Sequence, residues 1–279
     1  MANVTRTAKG GAGKLEQSRP VQWLGRMGDA CYGLVHLVVA WLALQVAFGG
    51  SAGQSHQVSQ QGAVTEIAAQ PFGKILLWVV AIGLVAFGVW QLLAALTSYQ
   101  WITKEGKRTR KRLGSASRGV AVLVIAGFTL KLLFSDPSSS GNSKQQAETA
   151  RLMAVPFGRI LVGLVAVGII VAAVVIARRG IAKKFLVDLD LHKLPPSAQT
   201  WTKWLGIVGF TAKGVAYTVV GILVGIAAIT FDPKKAGGLD KALRTLAAQP
   251  FGVVLLTAVA LGLAAYGVYC FADARCRKI

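Results

Sequence analysis

The chain has 279 residues, 54% of them hydrophobic and 15% charged, and its mean hydropathy is positive. Such a chain is too apolar and too poor in charge for a soluble domain of ordinary composition, and it reads as a polytopic membrane protein. A formal net charge of +20 would suggest nucleic acid in a soluble protein, but here the basic residues cluster between apolar spans, so no nucleic-acid partner is expected.

Residues 1–21 carry Arg6, Lys9, Lys14 and Arg19 with almost nothing apolar to bury, and are expected to be a disordered basic tail. Helices are then expected at 28–48 and 73–98, separated by a Ser/Gln/Gly-rich stretch and a short amphipathic helix over 63–69. The basic segment 100–117 should be a loop, followed by helices at 118–134 and 157–177. In the first of these Lys131 has to reach outward to an interface. A Ser/Gly-rich link and a short helix over 147–153 should separate the two.

The segment 178–204 mixes Arg178, Arg179, Lys183 and Lys184 with Phe185, Leu186, Leu189 and Leu191, which suggests an amphipathic helix on the membrane surface, ended by Pro195-Pro196. Helices at 205–230 and 251–272 and a short outer helix over 239–247 complete the chain. Three cysteines, Cys31, Cys270 and Cys276, form no Cys-x-x-Cys pair and have no nearby histidine, so neither a disulfide framework nor a zinc site is indicated.

One unit occurs three times. Pro71-Phe72-Gly73, Pro156-Phe157-Gly158 and Pro250-Phe251-Gly252 each open an apolar run, with proline expected in the first helical turn, where its missing N–H costs nothing. First-helix glycines Gly33, Gly119 and Gly214 are spaced 86 and 95 apart, and the prolines 85 and 94. The repeats are residues 22–101, 102–180 and 181–279. Two spans per copy make all copies enter the membrane in the same direction, so an all-α bundle of six transmembrane helices in a pseudo-threefold arrangement is expected. Small residues seven apart on the first helices, fullest at Gly214, Thr218, Gly221 and Gly225, should be close helix contacts within the bundle.

Lys and Arg number twenty in the segments 1–27, 99–117, 178–205 and 272–279, against six in the other loops. The chain should therefore lie in the cytoplasmic membrane with both termini inside, against anionic headgroups. A membrane-protein partner or a second copy of the chain is the other expected contact.

The polar residues expected inside the membrane are Asp29, His36, Lys213 and Tyr217. Tyr32, Arg118 and Lys213 are equivalent in the three copies, as are His36, Val122 and Tyr217. Counted from a helix start near residue 205, Lys213 is shallow enough for its head to reach the interface. Asp29, two turns before His36, could hold one imidazole nitrogen.

The runs Gly209-Phe-Thr-Ala-Lys-Gly-Val-Ala-Tyr217 and Gln249-Pro-Phe-Gly252, within a threefold two-helix repeat, resemble a family of bacterial membrane proteins known as a domain of unknown function, number 1206. The resemblance covers about residues 22 to 272 and implies no activity or catalytic residues. The second copy departs from the pattern at Val122 and Val155.

No catalytic constellation is found, so no enzyme is expected. His56 and His192 lie in loops, leaving no facing histidine pair for a haem, and no cofactor or metal is expected. Two functions remain. The favoured one is a non-enzymatic membrane protein that binds a partner or organises lipid. The alternative is a channel or transporter for a small solute or ion.

Overall fold

The computed structural model describes residues 19–49, 58–69, 73–97, 105–134, 149–151, 153 and 158–277. Most of the N-terminal tail, Pro71, Phe72, Pro156, Phe157 and residues 147, 148 and 152 of the short helix expected over 147–153 lie outside the described residues, while 149–151 and 153 are helical. Among those described there are eight α-helices and no β-strand. They are α1 (Arg19–Ala47), α2 (Gln60–Ala69), α3 (Gly73–Thr97), α4 (Glu105–Phe134), α5 (Gly158–Ile181), α6 (Pro196–Thr230), α7 (Leu239–Ala247) and α8 (Gly252–Cys276). Six of these, α1, α3, α4, α5, α6 and α8, are long and apolar enough to cross a membrane. The chain is a multi-pass membrane protein.

Three helices are well beyond the length a bilayer needs. The 35 residues of α6 span about 52 Å, the 30 of α4 about 45 Å and the 29 of α1 about 44 Å, against a hydrocarbon core of roughly 30 Å. The basic segment expected as a loop is the first part of α4, which begins at Glu105. No proline interrupts it, its Lys and Arg residues are good helix formers, and Glu105 suits the positive end of the helix.

The segment 178–204 also differs from expectation. Helix α5 ends at Ile181, Lys183 takes a left-handed conformation (φ 53°), and two short 3-10 turns, Lys184–Asp188 and Leu191–Lys193, replace the amphipathic helix. Arg179 pairs with Asp188 at 2.9 Å and folds the first turn back on α5. Phe185 and Leu189 are buried within the protein, where Phe185 stacks on Phe210 and fills the space over Gly206. Pro195-Pro196 starts a helix: Pro195 is the extended N-cap of α6 and Pro196 its first residue.

In the third copy, the one whose Pro-Phe-Gly is fully described, the motif is a turn and not a first helical turn. The Gly252 N–H donates to the Gln249 carbonyl at 2.8 Å, with Pro250 and Phe251 at the corners and Phe251 at φ 61°. Proline at the first corner and positive φ at the second define a type II turn. Gly252 then opens α8, and a Cβ there would lie 2.0 Å from the Ala247 carbonyl oxygen. At Gly73 a Cβ would lie 2.5 Å from the oxygens of Ile67 and Ala68. Glycine is required because the spanning helix starts directly against the last carbonyls of the short helix before it.

The chain divides into two compact units, residues 1–33, 67–136 and 270–279, and residues 34–66 and 137–269. Inside each, the repeat shows as one packing pattern. In the first, a Cβ on Gly119 of α4 would meet the Gly88 oxygen and the Leu92 side chain of α3. In the second, a Cβ on Gly214 of α6 would meet the Ala173 oxygen and the Ala177 side chain of α5, the matching positions one copy on. Likewise Gly28 meets Phe87 and Gly83 meets Cys31 in the first unit, while Gly209 meets Tyr266 and Gly262 meets Ala212 in the second. Close approach at small residues substitutes for the hydrophobic drive that lipid does not supply. Gly33 is buried in α1. Helix α5 turns most of its apolar surface outward, with Leu164, Val167, Val171 and Val175 exposed, as suits acyl chains.

Candidate functional site

In the unit formed by residues 34–66 and 137–269, Lys213 of α6 is only 7% exposed and His36 of α1 only 2%. The Lys213 Nζ lies 3.2 Å from His36 Nε2 and 4.0 Å from the centre of the Tyr266 ring on α8. Lys213 thus turns inward, which corrects the expectation that its head reaches the interface. Gln60 Nε2 approaches the same imidazole nitrogen at 3.4 Å, and the His36 ring packs against Tyr266 at 4.9 Å between centroids. Tyr217, half-buried one turn beyond Lys213, hydrogen-bonds Gln60.

Two nitrogen donors therefore converge on one imidazole nitrogen. With Lys213 charged, its ammonium and the Gln60 amide donate and Nε2 accepts, which puts the ring proton on Nδ1. A doubly protonated ring would set an N–H against the ammonium at 3.2 Å. The pair accordingly holds one proton on the line between its nitrogens, and the Tyr266 face adds a cation–π contact that favours a positive charge at Nζ.

Segments between the spanning helices hold Gln60 at this pair. Asp240, in the first turn of α7, accepts at a single oxygen from the Val58 N–H at 2.7 Å and from Arg244 Nε at 3.0 Å. Val58, Ala63 and Val64 are buried, so the start of α2 is an inward-facing part of the protein.

Asp29 does not hold the His36 ring. It belongs to the unit formed by residues 1–33, 67–136 and 270–279, where it is 1% exposed and both carboxylate oxygens lack a hydrogen-bond partner. Its charged neighbours are Asp273, Arg118 and Arg277. Arg277 donates to Asp273 at 3.4 Å and lies over the Trp90 ring, while Arg118 lies over the rings of Tyr32 and Phe87. Ser115 donates to Gln91 Oε1 at 2.6 Å nearby.

Sequence reasoning named His36, Lys213 and Tyr217 but missed Gln60, Tyr266 and Asp273. Tyr266 carried a usable signal, because it is the third-copy equivalent of Phe87 with a hydroxyl added. Asp273 carried another, as an acidic residue in an otherwise apolar final helix with Arg277 one turn on. No group of three or more His, Cys, Asp or Glu side chains suited to a metal occurs among the described residues.

The model of the family described as Domain of Unknown Function 1206 matches this chain three times, at residues 27–98, 113–183 and 208–277. The chain is 30% identical over 255 residues to YxxB of Bacillus subtilis (strain 168), described as an uncharacterized protein, covering 91% of this chain and 90% of that one. No solved structure matches.

Proposed function

The chain belongs to the Domain of Unknown Function 1206 family, and from that premise we propose that it is a non-enzymatic channel or carrier that moves protons, alone or with a small solute, across the cytoplasmic membrane. The observation that carries this reading is the Lys213–His36 pair, buried within spanning helices and joined through a single nitrogen. Ionisable groups are costly inside a membrane and occur there mostly on ion and proton pathways. An imidazole and an amine that share one proton can accept and release it with small movements. Tyr217 and Gln60 extend the polar groups toward the outer segments.

Purified protein in lipid vesicles with a trapped pH indicator tests this. A step of outside acid should lower the inner pH faster than in protein-free vesicles, and Lys213→Gln should remove the difference. Equal rates with and without native protein contradict the proposal.

The excess of Lys and Arg in the inner segments supports placing both termini in the cytoplasm. In a chain freed of its native cysteines, Lys235→Cys, on an exposed turn after α6, should react with a membrane-impermeant thiol reagent in intact cells and Lys184→Cys should not. The opposite pattern reverses the orientation.

A partner- or lipid-binding role is the second reading. It is favoured by the first turns of α6, where Trp201 and Trp204 are exposed beside Lys203. Aromatic rings and basic groups together suit an anionic headgroup layer. This reading makes proton entry indifferent to Lys213, so the vesicle experiment separates the two.

A further inference from the structure

A second buried ionisable cluster lies outside the Lys213–His36 site and plays no part in the reading above. Asp29 of α1 is 1% exposed and Asp273 of α8 is 3% exposed, and they face one another. The charged groups around Asp29 are Asp273, Arg118 from α4 and Arg277 just after α8, and Arg26, its Nε buried, lies one turn before Asp29 on α1. Tyr32, one turn on from Asp29, lies under the Arg118 guanidinium. Helix α3 presents Phe87 and Trp90 here, and its single charged residue, Lys74, is at the far end.

Arg277 donates to Asp273, so that carboxylate has a donor. Asp29 has none: neither oxygen reaches a hydrogen-bond partner, although both are buried. An ionised carboxylate only accepts, and two facing carboxylates offer no donor to each other. A buried acceptor without a donor is among the costlier features a protein can hold, and a charged one more so. One proton shared by the two carboxyls removes both costs, giving Asp29 a hydrogen bond and leaving a single negative charge beside the arginines.

We propose that Asp29 and Asp273 form a proton-binding carboxyl pair that takes one proton from solvent and holds it between them. The ligand is the proton itself. Binding makes one O–H bond and one hydrogen bond, and release returns the proton to water with nothing else changed.

The infrared spectrum of the full chain in lipid tests this, because an undissociated carboxyl absorbs apart from a carboxylate and shifts in heavy water. The native protein at neutral pH should show an undissociated carboxyl that disappears in Asp29→Asn and also in Asp273→Asn, since the asparagine amide supplies the donor that the shared proton supplied. No undissociated carboxyl in the native protein overturns the proposal, even if neither variant can be purified. A band that survives in both variants overturns it too, by assigning the proton elsewhere. Loss in one variant alone shows a single protonated aspartate and overturns the shared pair.

Discussion

Lys213→Met should leave the purified protein at least as resistant to heat as the native chain while its proton entry into vesicles falls to the protein-free rate. Methionine matches lysine in length and flexibility but brings no charge to desolvate. Removing one partner of a buried pair is costly when it strands a charge, and a neutral His36 leaves none stranded. His36 Nε2 keeps the Gln60 amide at 3.4 Å, so its acceptor is not orphaned. The Tyr266 ring exchanges a cation for a thioether, a contact aromatic rings also favour. Function should suffer because the second proton-bearing nitrogen is gone. Thermal unfolding followed by circular dichroism reads the first half and vesicle acidification the second. A lower transition with unchanged proton entry would make Lys213 a structural clasp.

Gly28→Ala should abolish recovery of monodisperse protein, whereas Gly114→Ala, the same change at the matching position of the second copy, should be tolerated. A Cβ on Gly28 would lie 2.2 Å from the Gly83 oxygen, 2.4 Å from the Phe87 Cβ and 2.8 Å from the Phe87 nitrogen. None of these atoms can turn aside, because two are backbone and the third is fixed to it. Overpacking typically costs about 1–3 kcal/mol and more where backbones must separate, against a total stability of roughly 5–15 kcal/mol. Around Gly114 nothing lies within 4 Å of the added carbon. Alanine there should stabilise the helix by roughly 0.5–1 kcal/mol. Size-exclusion profiles and melting temperatures of the two variants make the comparison, and equal behaviour would refute the packing described for α1 on α3.

Much of the architecture was legible because membrane helices declare themselves by length and composition, and because the copies share glycines at fixed offsets. Gly119 and Gly214 meet matching neighbours for the reason their spacing suggested: only small residues let helices approach so closely in lipid. What stayed hidden depended on where helices begin. Proline 250 stands at a turn corner instead of inside a helix, a choice set by the left-handed Phe251 that no residue type announces. Lys213 was read as reaching the interface because nothing near it in the sequence announces His36 of α1 and the Tyr266 ring of α8 as its neighbours. The partners of the pair were harder still. Gln60 reaches His36 because Asp240 holds the neighbouring backbone, a link across 182 residues that local sequence does not carry.

The proposed passage of a proton between Lys213 and His36 is tested most directly by the initial rate of acid-driven pH change in vesicles containing equal amounts of native, Lys213→Gln and His36→Gln protein. Rapid entry is expected with the native chain and the protein-free rate with either variant, since each leaves one nitrogen without its proton partner. Entry by both variants at the native rate would contradict it.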